Sequence, residues 1–285
     1  MADPYSPSPD PRYHSGADYG VGSDHPVQAD IPAARPSRST PQGLAAAAVA
    51  AIGVLLKFKG LALTFVSTGI TIVFYAQLFG WWFAAGIVAL ILVHELGHLL
   101  VARLLGMPAT MPVLIPFLGA FVAMKQSPRS VAQEAQMAIG GPIVGSIAAG
   151  LCYLGYLQAP EGSMGGLLLG LAYFGFLINL FNLIPVTPLD GGRVLSLLSR
   201  WFNVAGLLIA VGLLVFGNFR SPVLLLVVLF GAFSTWQRFR SSNVNPAYYA
   251  VPADVKWRIG ALYLGLLVAL ALGLQHTSSL LPAIQ

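Results

Sequence analysis

Residues 83–105 read FAAGIVALILVHELGHLLVARLL, and this stretch decides how the chain folds. A run of about 20 apolar residues is what an α-helix needs to cross a bilayer. This run is long enough, but it carries His94, Glu95 and His98 near its centre. Ionisable groups inside a membrane span are costly, so their presence there indicates a function.

The whole chain has the composition of a membrane protein. Of its 285 residues, 56% are hydrophobic and 9% are charged, and the mean hydropathy is +0.76. Soluble domains carry about 25% charged residues, so a soluble globular fold is excluded. The net charge is +5, but the basic residues lie at the ends of apolar segments and form no stripe, which excludes a nucleic-acid-binding face. The single cysteine, Cys152, excludes an intrachain disulfide and a cysteine-rich zinc cage.

Seven apolar segments are candidate spanning helices, and we predict an all-α polytopic membrane protein with about six to seven transmembrane helices. A disordered tail, rich in proline, serine and aspartate, is expected before them. A juxtamembrane or interfacial helix should follow the tail. The candidate spans lie at about 60–79, 83–105, 134–158, 164–184, 201–217, 221–236 and 257–275. The chain thus divides into a tail at 1–42, the juxtamembrane helix at 43–59, a membrane core at 60–200, and C-terminal helices with a short tail at 201–285.

The lysines and arginines predict the orientation in the membrane. With the N-terminus in the cytosol, all fifteen of them except Arg220 fall on cytosolic segments, as the positive-inside rule requires. We therefore expect a multi-pass protein of a bacterial cell membrane with a cytosolic N-terminus. The polar residues of the 83–105 span then lie toward the cytosolic half.

One apolar segment is not compatible with a helix. Met107–Lys125 contains Pro108, Pro112 and Pro116 and then Gly119. Prolines at this density remove backbone donors and break helices. Because non-helical backbone survives at membrane depth only when protein or a wet cavity surrounds it, we predict a re-entrant loop or β-hairpin near the active site.

His94 and His98 are spaced to hold one ion. Four residues apart on a helix, their imidazoles share a face and lie about 6 Å apart along the axis. Zinc accepts imidazole nitrogen and carboxylate oxygen, and a catalytic site leaves one position for water. Glu95 can take a proton from that water, which is the H-E-x-x-H arrangement of metalloproteases. The alternative is a polar network in which the same three residues satisfy one another.

The best candidate for a third protein ligand is Asp190. It lies in the segment NLIPVTPLDGG at 182–192, where two prolines interrupt the preceding helix near residue 184. The two glycines let the backbone approach closely, and the carboxylate would face the helix bundle. The alternative is an ordinary Pro-Gly turn with an exposed aspartate.

Two features of the 134–158 segment are explained by helix packing and by the membrane interface. Gly141 and Gly145 form a small-xxx-small pair, which predicts close packing against a neighbouring helix. Glu134 begins the span, where the membrane interface accounts for its charge.

The motif His94-Glu95-Leu96-Gly97-His98, followed by Leu189-Asp190-Gly191, resembles the site-2 protease family of intramembrane zinc metalloproteases. The resemblance covers residues 60–200 and fits the compact form, without a PDZ domain or an appended regulatory domain. It implies that His94, His98 and Asp190 bind one Zn²⁺ and that Glu95 is the catalytic base. It also implies that Asn182 binds substrate backbone near the scissile bond, although a helix-end hydrogen bond explains that asparagine equally well.

The resemblance further implies the substrate class, which is a peptide bond in or near a transmembrane segment of a membrane protein. Such cleavage is regulated intramembrane proteolysis. The expected partners are these substrates, the lipid bilayer, and a regulatory protein or a second copy of the chain. One alternative is a transporter of metal ions or protons that uses His94, His98 and Asp190 as relay groups, although the chain shows no internal repeat. Another is an inactive scaffold that binds client proteins.

Overall fold

The computed structural model describes residues 41–116, 119–122, 126–217 and 222–281. Residues 1–40 lie outside this range, so the tail expected at 1–42 falls almost wholly outside the described residues. The features discussed below belong to the larger of two units, Ala51–Gln285. The elements in chain order are α1 (Pro41–Phe79), α2 (Trp81–Leu104), β1 (Val113–Ile115), β2 (Gly119–Phe121), α3 (Val131–Gln158), α4 (Gly162–Asn182), α5 (Asp190–Leu195), α6 (Trp201–Phe216), α7 (Pro222–Val244), α8 (Pro246–Tyr249) and α9 (Ala253–Leu280).

Long apolar helices dominate the described chain, which confirms the predicted all-α polytopic fold. Five segments are long and apolar enough to cross a bilayer: Lys59–Phe79, Trp81–Leu104, Val131–Gln158, Gly162–Asn182 and Ala253–Leu280. A shorter apolar helix, α6, packs against α7. Large apolar side chains such as Phe65, Trp82 and Leu264 remain exposed on these helices. The bilayer is the environment in which such surfaces are stable.

Helices α2, α3 and α4 form the centre of the bundle, and α9 packs against α3 and α4. The crossing of α2 with α3 depends on glycines. A Cβ on Gly97 would lie 2.5 Å from the carbonyl oxygen of Gly140 and 2.9 Å from Cβ of Val144, closer than real Cβ contacts allow. These small residues bring the two backbones close together, which places the polar face of α2 directly against α3.

The proline-rich segment forms a short antiparallel hairpin, which confirms the predicted β-hairpin. Val113 pairs with Phe121, Leu114 with Ala120, and Ile115 with Gly119. The other edge of β1 is bonded to α1. The hydroxyl of Thr64 donates to the carbonyl of Pro112 at 2.6 Å, and the amide of Leu114 donates to Oγ of Ser67 at 3.1 Å. These bonds satisfy backbone groups that lipid could not.

The chain between α4 and α5 is tightly packed. Helix α4 ends at Asn182, and the hydroxyl of Tyr263 in α9 donates to the carbonyl of Leu183 at 2.6 Å. A Cβ on Gly191 would collide with the backbone of Leu183 and Ile184, so only glycine fits there. Asn203 of α6, fully buried, accepts a bond from the amide of Thr187 at 3.1 Å. This packing sets the position at which α5 begins, with Asp190 as its first residue.

Candidate metal centre

The three polar residues of α2 lie together, with Glu95 next to His94 and His98 one turn further along the helix. His94 is buried, and the Nε2 atoms of His94 and His98 are 3.1 Å apart. One ligand atom from each of His94, Glu95 and His98 lies within 4.8 Å of the others, so this group could hold a metal ion. The helical spacing read from the sequence therefore brings both imidazoles to one point.

Asp190, the first residue of α5, lies against the Nε2 atoms of both histidines. Its Oδ2 lies 3.3 Å from Nε2 of His94 and 3.2 Å from Nε2 of His98. With the distance between the two nitrogens, these atoms form a triangle with sides of 3.1–3.3 Å. Tetrahedral ligands at the zinc distances of about 2.0–2.1 Å are themselves about 3.3 Å apart. The triangle therefore has the dimensions of one face of a zinc coordination tetrahedron.

The Asp190 side chain is only 9% exposed, and its carboxylate lies against both imidazoles. An ionised carboxylate and neutral imidazoles are the forms of these groups that bind a cation.

The other ring nitrogen of each histidine is also bonded. Nδ1 of His98 lies 2.9 Å from the carbonyl oxygen of Met137 in α3, and Nδ1 of His94 lies 2.8 Å from Oδ1 of Asn179 in α4. A bond at Nδ1 fixes the ring and directs Nε2 toward Asp190. The sequence reasoning missed Asn179, although a polar side chain in the middle of an apolar span is itself an indication of function.

Small residues on α3 make room for these rings. A Cβ on Gly141 would overlap the imidazole of His98 and lie 2.8 Å from Nε2 of His94. A Cβ on Gly145 would overlap the amide of Asn179. The close packing predicted for Gly141 and Gly145 is therefore present, and it is packing against the side chains of the site.

Asn182 occupies a different position from Asn179. Its Nδ2 donates to the carbonyl of Ile178 at 3.0 Å, one turn back on its own helix. This is the helix-end hydrogen bond that the sequence left open as an alternative. Among the described hydrogen bonds, none joins Asn182 to His94, His98 or Asp190.

An open cleft of about 810 Å³ borders the site on the side of α5. Thr187, Pro188 and Arg193, which flank Asp190 in the chain, contribute to its lining, whereas the two histidines do not. Glu134 also lines it and accepts bonds from Arg238 at 2.6 and 3.2 Å, and from the hydroxyl of Tyr248 at 2.8 Å. Glu134 is therefore part of a buried ion pair, which the membrane interface alone does not explain.

Comparisons with known proteins bear on the region that carries the histidines. Residues 82–164, which include His94, Glu95 and His98, match the model of peptidase family M50. A zinc metalloprotease of Methanocaldococcus jannaschii is 30% identical in an alignment 176 residues long, and the alignment covers 57% of this chain and 51% of the relative. Residues 82–164 of this chain are thus similar to peptidase family M50. This confirms the family that the two motifs predicted.

The chain spans about half the length of the curated relative that it matches. Among solved structures, it is similar to a site-2 protease from Methanocaldococcus jannaschii. That likeness has 25% sequence identity and a TM-score of 0.43, and it covers 66% of this chain and 89% of the other.

Proposed function

We propose that this chain is an intramembrane zinc metalloprotease that hydrolyses a peptide bond in or near a transmembrane segment of a membrane-protein substrate. The observation that supports this most directly is the triangle of His94, His98 and Asp190, with Glu95 beside it. Two imidazoles and one carboxylate are a ligand set of catalytic zinc sites, which keep a fourth position open. The family and the zinc metalloprotease among its relatives agree with this proposal.

Each residue of the site has a separate task in this mechanism. His94, His98 and Asp190 hold one Zn²⁺. When bound, the ion lowers the pKa of a water molecule and polarises the scissile carbonyl. Glu95 accepts a proton from the attacking water and passes it to the leaving amine as general base and then general acid. Asn182 orients the substrate backbone through its amide.

The hairpin offers an edge on which a substrate segment can be held in extended form. The amide of Leu114 points away from β2, toward Ser67, so Leu114 and Ala120 form a non-hydrogen-bonded pair. The amide and carbonyl of Ala120 therefore also point away from β1. Since Thr64 and Ser67 occupy the outer edge of β1, strand addition takes place at β2.

Ala120→Pro tests this edge, because it removes an outward-pointing donor without removing a bond to β1. Cleavage of a single-span substrate and its crosslinking to the hairpin should both fall. Unchanged cleavage and crosslinking would show that substrate does not add to β2.

The orientation completes the proposal. We place the N-terminus in the cytosol of a bacterial cell, because the basic residues favour that side. Helix α2 then runs from outside to inside, and the metal centre opens toward the cytosolic half. A cleaved substrate would release its fragment on that side, as regulated intramembrane proteolysis requires, with a regulatory protein or a second copy of this chain controlling access.

Glu95→Gln tests the chemistry. The variant should retain zinc, because the three proposed ligands His94, His98 and Asp190 remain, and it should lose cleavage of a model single-span substrate in proteoliposomes. Glu161→Gln is the matched control. Glu161 directly precedes α4, and its side chain forms no capping hydrogen bond to that helix. Normal cleavage by Glu95→Gln would contradict the mechanism, and zinc or proton flux that survives the substitution would favour a transporter.

A further inference from the structure

Asn179 lies at the centre of the bundle, where an unsatisfied amide would be costly. The residue is 2% exposed, and both polar atoms of its side chain are bonded. Nδ2 donates to the carbonyl of Gly175 at 2.7 Å, one turn back on α4. Oδ1 lies 2.8 Å from Nδ1 of His94.

These two bonds define the tautomer of His94. The carbonyl of Gly175 can only accept, so the atom facing it must be the NH₂ group of Asn179. The atom facing His94 is then the amide oxygen, which also can only accept. Nδ1 of His94 therefore carries the hydrogen, and its Nε2 presents a lone pair toward Oδ2 of Asp190.

His98 is held by backbone groups instead. Its Nδ1 lies 2.9 Å from the carbonyl oxygen of Met137 and 3.3 Å from the amide nitrogen of Gly141, and neither group depends on a side chain. His94 depends instead on a side chain, and that side chain belongs to another helix. A side-chain substitution can therefore change the orientation of the His94 ring, whereas backbone groups of α3 hold the ring of His98.

The space for the amide is provided by α3. An alanine Cβ at Gly145 would collide with Oδ1 of Asn179 and lie 2.7 Å from its Nδ2. Both colliding atoms are the ones that form the bonds to His94 and Gly175. A larger residue at 145 would therefore displace the acceptor from the imidazole of His94.

We propose that Asn179 is a positioning residue of the metal centre, and that Gly145 must be glycine to admit its amide. The inference rests on the proposed function, because it assigns the amide to the orientation of a zinc ligand. Asn179 does not touch the metal or the substrate. It holds the ring of His94 in the one tautomer and one rotation in which Nε2 faces the site.

The test is the zinc affinity of the purified full-length protein, measured by competition with a chromogenic chelator. Asn179→Leu keeps the side-chain volume and removes the acceptor, and it should weaken zinc binding by about 10- to 100-fold. Asn182→Leu is the matched control for affinity, since the same substitution one turn along α4 removes an amide that bonds only within its helix. It should leave zinc affinity unchanged.

Two further variants separate orientation from packing. Asn179→Asp keeps an oxygen acceptor opposite Nδ1 and should recover most of the lost affinity, because a carboxylate also fixes this tautomer. Gly145→Ala approaches the same bond from α3 and should weaken zinc binding as Asn179→Leu does. Gly150→Ala, on the same helix with nothing within 4 Å of the new Cβ, should not.

The outcomes distinguish this inference from the function on which it rests. A wild-type protein that binds no zinc would overturn the proposed function, and the role of Asn179 with it. Zinc binding by the wild type that persists unchanged in Asn179→Leu would overturn only the role of Asn179. An equal loss of affinity in Asn179→Leu and Asn179→Asp would also overturn it, because the amide would then matter for packing and not as an acceptor.

Discussion

Gly141→Ala adds a single methyl group at the point where α3 meets the two histidines. The new Cβ would overlap Nε2 and Cε1 of His98 and would lie 2.8 Å from Nε2 of His94. Favourable contacts between such atoms begin at about 3.5 Å. Neither ring can withdraw freely, because Nδ1 of His98 is bonded to Met137 and Nδ1 of His94 to Asn179.

The size of the effect follows from overpacking. Inserting a methyl group into a well-packed interior costs about 1–3 kcal/mol. Here the strain falls on the two nitrogens proposed to bind zinc, so it should appear mainly in the metal affinity. An energy of 1–3 kcal/mol corresponds to about 5- to 150-fold weaker zinc binding.

The assay compares the zinc affinities of the wild type, Gly141→Ala and Gly150→Ala by chelator competition in detergent. Gly150→Ala controls for replacing glycine by alanine in α3, because its Cβ meets open space. Retention of wild-type zinc affinity by Gly141→Ala would refute the reasoning. A fall in affinity in both variants would show that α3 is generally intolerant and would equally contradict a local effect.

Two further predictions concern the elements around the site. Arg238→Gln leaves the largely buried Glu134 without its charge partner and should lower the unfolding free energy by about 3 kcal/mol. Arg258→Gln breaks only the exposed pair with Asp254 and should leave the unfolding free energy unchanged. Thr64→Val with Ser67→Ala removes the bonds between α1 and β1 and should speed hydrogen exchange at Leu114, as mass spectrometry of peptides covering β1 can measure.

The amino-acid sequence predicts the parts of this molecule that depend on one segment at a time. The apolar run at 83–105 becomes α2 (Trp81–Leu104), since its length and hydropathy are properties of that run alone. The prolines of Met107–Lys125 likewise exclude a helix, and the described part of that segment contains a hairpin. The motif spacing places His94 and His98 together because helical geometry is nearly invariant.

The features that the sequence did not reveal are contacts between distant segments. Asn179 and Asn182 are chemically identical and one turn apart, so no local pattern shows which of them faces His94. Glu134 is 104 residues from Arg238, and a charge at the end of a span is explained by the interface until its partner is seen. The spacing of Gly141 and Gly145 likewise predicts close packing, but it does not show that the side chain of Asn179 lies against Gly145.

One zinc ion shared by α2 and α5 is the centre of the proposed site. The metal content of the purified protein tests this most directly. Elemental analysis of the purified protein should find about one zinc per chain in the wild type and in Glu161→Gln, since three protein ligands make a complete catalytic site. Asp190→Ala should lose most of that zinc while the folded protein remains, because two histidines on α2 are then left without their third ligand. A wild type without zinc, or an Asp190→Ala protein that retains its full zinc content, would contradict the split site.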